Sequence, residues 1–142
     1  MAKLQVQLVT AEGPVLSTEA DFVVAPGQAG ELGVLPRHIP LLTPLKTGEV
    51  TVRNDGNDEY IFVGGGFLEV LPDRVVILAD VAERAEEIDV ARAEEARKRA
   101  QQQLDQNVGD AEAAAALERA IFRMRISEVR RRRRREGRPS GE

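Results

Sequence analysis

The chain has 142 residues, 42% hydrophobic and 31% charged, with a formal charge of −4, the make-up of one folded domain with a small appendage rather than a disordered chain. Cysteine is absent, which excludes disulfides and thiolate metal sites and fits a reducing compartment. No apolar run approaches the ~20 residues that span a bilayer, and the opening residues Met1–Thr10 lack a long apolar stretch and a small-residue cleavage site, so no signal peptide is expected.

Charge is unevenly spread. Up to Ile88 there are 6 Lys/Arg against 14 Asp/Glu, and from Asp89 onward 14 against 10. In the first part Leu4, Val6 and Leu8 alternate with polar residues, the period-2 pattern of a half-buried strand. Gly13-Pro14 predicts a turn. Further strands are predicted at Ala20–Ala25, Glu49–Arg53, Tyr60–Val63, Phe67–Leu71 and Arg74–Ala79, separated by Pro26-Gly27, Asn54-Asp55-Gly56 and Pro72-Asp73. Asp55-Gly56 is a hairpin signal. Many short strands at close spacing predict a β-sandwich.

The composition changes at Asp89 to Ala, Glu, Arg and Gln, and the domain boundary is drawn between residues 86 and 87. Asp89 is placed as an N-cap, with Ala93, Ala96, Ala100 and Leu104 at helical spacing behind it. Asn107 to Asp110 breaks the pattern, and a second helix is predicted from Ala111, with Ala114, Leu117, Ile121 and Met124 as its apolar stripe. Two helices joined by a short polar loop form an antiparallel hairpin. A seam made mostly of alanine buries little area, so the hairpin should be weakly held and able to open. The expected class is α+β: an N-terminal β-sandwich followed by a C-terminal helical hairpin.

Three motifs suggest chemistry without supporting it. Gly64-Gly65-Gly66 is followed by the strand-like Phe67–Val70 and not by Lys-Ser/Thr and a helix, so it marks a bulge or close backbone approach, not a phosphate loop. His38, the only histidine, has no partners at metal-ligand spacing. Neither Ser17 nor Ser127 has a local catalytic signature, so no catalytic residue is expected. The run Arg130–Arg135, with Arg138 beyond, lacks interleaved aromatics in an acidic chain, which favours a solvated or partner-facing helix end over nucleic acid. Arg92 and Arg99 share one helix face, and Arg119 and Arg123 share a face of the next. They either converge on a polyanion or pair with neighbours, as in Glu95–Arg99.

The segment Gly30–Leu45, GELGVLPRHIPLLTPL, closely resembles the signature of ATP synthase epsilon subunits, and Val63–Val70 resembles the strand that follows it in that family. The resemblance implies a β-sandwich that docks on the gamma subunit and the c-ring, and a mobile hairpin that inhibits ATP hydrolysis when it extends into the catalytic alpha/beta head. It makes Glu31 and His38 c-ring contacts. Ile88-Asp89-Val90-Ala91-Arg92-Ala93 resembles the regulatory ATP motif of some bacterial members. By that resemblance Glu83, Ile88, Asp89, Arg92, Ala93, Arg99, Arg119 and Arg123 form a regulatory ATP site, with no other cofactor. The expected protein is a non-catalytic rotor subunit of a proton-translocating enzyme. It binds no nucleic acid and is held at the cytoplasmic face of the bacterial plasma membrane only through its complex. The alternatives from other classes are a nucleic-acid binder and a nucleotide hydrolase. The arginine tail is not a feature of the resemblance.

Overall fold

A computed structural model describes the backbone of residues 2–136 and the side chains of residues 2–130. The chain divides into two compact units, Met1–Arg84 and Ala85–Glu142. The first holds strands β1 (Leu4–Thr10), β2 (Gly13–Ala20), β3 (Phe22–Gly27), β4 (Gly30–Val34), β5 (Leu41–Asn54), β6 (Asn57–Leu71), β7 (Arg74–Ala79) and β8 (Ala82–Arg84). The second holds a 3-10 turn, Ala85–Glu87, and helices α1 (Val90–Gln106) and α2 (Ala111–Glu136). The chain is thus α+β, a β-sandwich-type unit followed by two helices.

The sheet runs β2-β1-β7-β6-β5-β3-β4, with β8 paired to β6 off that path. Alternation places Leu4, Val6 and Leu8 of β1 fully inside, facing Val23, Val50, Ile61, Leu68, Val70, Val75 and Ile77 in one core. β1 and β7 pair in parallel, Val6 opposite Val75; the remaining ladders are antiparallel.

The sheet's spine is the β5–β6 ribbon, in register from Leu41↔Val70 to Asn54↔Asn57. The two runs Tyr60–Val63 and Phe67–Leu71, separate by pattern, are one strand. The glycines between them do not end it; they let it change partners. Residues 61–63 pair with β8 and residues 66–71 with β7. At the changeover the Gly64 N–H donates to the Val81 carbonyl (2.8 Å) and the Asp80 N–H donates to the Gly65 carbonyl (3.1 Å). Gly66 has φ 128°, and a Cβ there would overlap the Leu78 carbonyl oxygen and lie 2.8 Å from the Ala79 Cα. The glycine run is a close backbone approach, one of the two readings its strand context allows.

Other turns shift by a residue or two. Gly13-Pro14 opens β2 instead of turning, because the turn sits at Ala11-Glu12. Pro26-Gly27 ends β3 and pairs with Glu31 and Gly30 of β4, a strand that alternation did not reveal. Asp55-Gly56 is the predicted hairpin turn, with φ of 52° and 81°, the left-handed pair of a type I′ turn.

That turn is tied to the chain's start. The Lys3 ammonium contacts the Asp21 carboxylate (2.6 Å) and the Asp55 carboxylate (2.8 Å), and donates to the Asn54 Oδ1 (2.7 Å). The bond to Asp21, then that to Asp55, raises the Lys3 pKa, and the same bond to Lys3 lowers that of Asp21. Asp21's contribution is present above its ordinary value of 3.8 and disappears as pH falls through its depressed folded value. The contribution from Lys3 is present below its ordinary 10.5 and disappears as pH rises through its elevated folded value.

Gly66→Ala lowers stability by more than about 2 kcal/mol in urea denaturation. Gly13→Ala, at φ 130° with nothing within 4 Å of the added Cβ, costs only the backbone strain and less than Gly66→Ala. The melting-temperature gap between the parent and Lys3→Met is constant near neutrality. It closes below the ordinary carboxylate range and again above the ordinary lysine value; a gap that ignores pH would refute the triad's role.

Candidate functional site

The helical unit is built from two capped helices. Asp89 is the N-cap of α1, its Oδ1 accepting the Arg92 N–H at 3.1 Å. Asp110 does the same for α2, accepting the Ala113 N–H at 3.0 Å. The Asn107 side chain accepts the Gly109 N–H (3.2 Å), which closes the short loop between them.

The seam is alanine, as the composition suggested. Ala93 and Ala100 of α1 and Ala113 and Ala120 of α2 are buried at seven-residue spacing, joined further along α2 by Ile126 and Ser127. On α2 the buried stripe differs from the one read by periodicity. Ala114 and Ile121 are exposed, while Leu117 and Met124 are half-buried. Ala114, Leu117, Ile121 and Phe122 instead line, with Leu104, an apolar groove of about 250 Å³. Small alanines permit the closest backbone approach, so they take the seam and leave larger side chains at its edge.

This geometry sorts the arginines. Arg92 and Arg99 immediately precede the seam alanines of α1, and Arg119 immediately precedes Ala120. In an antiparallel pair of right-handed helices, residues that precede the seam on either helix come to the same flank. Arg123, three residues after Ala120, falls toward that flank too and is half-buried. Counted from the loop, Arg99 lies 7 residues before the end of α1 and Arg119 lies 8 after the start of α2. Arg92 and Arg123 lie 14 and 12 away, so at ~1.5 Å per residue each pair shares a level. The residues that line the groove follow the seam alanines and occupy the other flank.

The neighbour-pairing alternative is met only in part. Arg119 reaches Glu112 at 3.5 Å. The ion pair on α1 is Arg97 with Glu94, at 2.6 Å, and not Arg99 with Glu95. Its hydrogen bonds lower the Glu94 pKa and raise that of Arg97. Among the described residues, neither Arg92 nor Arg99 has an ion-pair partner, and both are exposed. Ile88 and Ala93 are both buried, beside the Asp89 cap. Glu83 belongs to β8 of the first unit, opposite Phe62.

Glu31 and His38 occupy the sandwich unit. Glu31 is exposed on β4, and His38 is half-buried in the loop before β5. That loop is held by the Arg37 N–H donating to the Pro72 carbonyl (2.8 Å), with Arg37 at φ 68°, and the His38 ring Nδ1 lies 2.6 Å from the Ile39 carbonyl. It presents Leu35 and Ile39, 59% and 76% exposed. A second exposed apolar group, unannounced by alternation, lies on the sheet: Phe67 and Leu78 stand opposite one another on β6 and β7, with Leu42 exposed and Pro44 half-buried on β5 beside them. Among the described residues no group of acidic or histidine side chains is placed to hold a metal, and no helix is long and apolar enough to cross a membrane.

Comparison with known proteins matches both units. Residues 3–85 fit the ATP synthase delta/epsilon chain β-sandwich domain, and residues 86–128 fit the delta/epsilon chain long α-helix domain. The chain belongs to the ATP synthase delta/epsilon family. It is 54% identical over 136 residues to an ATP synthase epsilon chain of Dehalococcoides mccartyi, covering 92% of this chain and 96% of that one. It is 47% identical over 138 residues to that of Laribacter hongkongensis, covering 94% and 99%. Its fold is similar to a chain in the Euglena gracilis mitochondrial ATP synthase, with a TM-score of 0.66 at 22% identity over 94% of this chain and 82% of that one. It is also similar to a chain in the central stalk and c-ring of the Tetrahymena thermophila enzyme, with a TM-score of 0.56 at 17% identity, over 90% and 96%. The helical model stops at residue 128, so the arginine run lies beyond it. Arg138 and the side chains from Arg131 onward lie outside the described residues.

If the cationic flank does not hold the hairpin together, removing it should be harmless to folding. Arg92→Ala/Arg99→Ala should change unfolding free energy by no more than about 0.5 kcal/mol. Ala120→Leu, which overpacks the seam, should cost about 1–3 kcal/mol. Calorimetric melting of the three proteins checks both.

Proposed function

We propose that this chain is a non-catalytic rotor subunit in the central stalk of a proton-translocating F-type ATP synthase, carried on the cytoplasmic face of a bacterial membrane by its complex. The sandwich docks on gamma and on the c-ring, with Glu31 and His38 at the c-ring contact. Support comes from the exposed apolar side chains of the His38 loop and of Leu42, Phe67 and Leu78, since apolar patches on a folded surface mark protein contacts. The hairpin opens along gamma and inhibits ATP hydrolysis by the alpha/beta head, and regulatory ATP holds it closed. In the open state the arginine tail meets acidic surfaces of the head.

The observation that carries the regulatory part is the cationic flank. Arg92 and Arg99 lack ion-pair partners among the described residues and share a flank and levels with Arg119 and Arg123. Guanidiniums converging from two helices suit a polyphosphate, which each donates to through a planar fork. Ile88 gives the base an apolar contact, Asp89 a polar one, and Ala93 leaves it room. A ligand bound only to the closed hairpin stabilises it by RT ln(1 + [L]/Kd), about 2.7 kcal/mol at a hundredfold excess. Against an alanine seam that is enough to decide the state.

The test is reconstitution with a gamma-containing catalytic head, beside calorimetry of the chain with ATP. The chain should bind the head, lower its hydrolysis without hydrolysing ATP itself, and lose that inhibition as ATP saturates the hairpin. Arg92→Ala/Arg123→Ala should keep head binding and lose ATP binding. Equal ATP binding by the variant would refute the nucleotide site alone. Failure to bind the head would refute the rotor reading.

A further inference from the structure

The two helices are unequal. α2 has 26 residues and α1 has 17, so α2 outruns α1 at the end away from the loop. The overhang is not bare. The 3-10 turn Ala85–Glu87 lies against α2, and the Arg130 Nη2 reaches the Glu86 Oε2 at 3.3 Å. Arg130 is 22% exposed and Glu86 50%, so the pair is partly shielded on one side only. Around it Ala85, Ile88, Ile126 and Ser127 are buried. The Ile88 N–H donates back to the Ala85 carbonyl at 3.3 Å, closing the turn that leads into the Asp89 cap. Arg130 lies beyond residue 128, where the family's helical model ends.

We propose that the Glu86–Arg130 ion pair is a latch that clamps the residues leading into α1 onto the overhang of α2 and sets, without any ligand, how closed the two-helix unit rests. The alanine seam supplies contact along the hairpin but little holding force at its open end. The latch acts there, where two separating helices part first. It also fixes Ile88 and the Asp89 cap against α2 before any nucleotide arrives. Because the attraction is between half-exposed charges, it is screened by salt in a way that alanine packing is not. Only the role in switching rests on the opening hairpin proposed above; the clamp itself does not.

The experiment is amide hydrogen exchange of the full chain without nucleotide, read at Ile88, Arg92 and Ala93, in about 0.01 M and about 1 M salt, where screening lengths are ~30 Å and ~3 Å. At low salt Glu86→Gln and Arg130→Gln should each speed exchange at these amides about two- to fivefold. The double variant should be no faster than Glu86→Gln, which already removes the pair. At high salt all four proteins should exchange alike. Parent-like exchange of the single variants at low salt, additive effects in the double variant, or an acceleration that survives high salt would each overturn the latch. None of these results bears on ATP binding, which is read separately by calorimetry of the parent chain.

Discussion

The sandwich depends on one close approach, where Gly66 of β6 passes the backbone of β7. A strand of fifteen residues cannot serve one flat ladder and still enclose a core; it must turn its pairing edge part-way along. Gly64 to Gly66 permit this. Without side chains they admit φ values of 95° and 128° at the last two positions and let the Leu78 carbonyl come to contact. Upstream of the glycines β6 holds β8, and downstream it holds β7, through which β1 and β2 are attached. The single buried core, from Leu4 to Ile77, follows from that handover.

In the helical unit the governing fact is the size of the seam residue. Alanines at 93, 100, 113 and 120 bring two backbones together and displace everything larger to the flanks. One flank receives arginines and the other receives Leu104, Leu117, Ile121 and Phe122. The hairpin therefore has a charged side and an apolar side, each available to a different kind of contact. A leucine seam would have held the helices more firmly and left less for a ligand or a partner to decide.

Much of this was legible in the residues. Alternation marked β1, which buries one face, while apolar runs between turn signals marked β3, β7 and parts of β5 and β6. Asp89 and Asp55-Gly56 were visible because caps and type I′ turns need particular side chains or φ values, whereas Asp110 read only as part of a break and is a cap by its bond to the Ala113 N–H. β4 escaped notice because two of its five residues are glycine and its partner strand ends in Pro26-Gly27. The α2 stripe was misplaced because a hydrophobicity pattern ranks Leu and Ile above Ala, whereas close packing prefers Ala. Among the candidate site residues, the shared flank of Arg92, Arg99 and Arg119 needed the position of the seam. The contact of Glu86 with Arg130 joins residues 44 apart, and no local spacing rule reaches that far.

The parallel pairing of β1 with β7 has a consequence for how the chain is made. Val6 cannot meet Val75 until most of the first unit has left the ribosome, yet Leu4, Val6 and Leu8 are among the first apolar side chains synthesised. Until β7 arrives, β1 lacks the strand that joins the β1–β2 hairpin to the rest of the sheet, and a lone hairpin in water is marginal at best. Contacts this distant in sequence close slowly, and the apolar face waits uncovered meanwhile. A nascent chain stalled before Arg74 therefore lacks the strand that joins β1 and β2 to the sheet, while one whose residues through Ala79 have emerged has every strand of the main path.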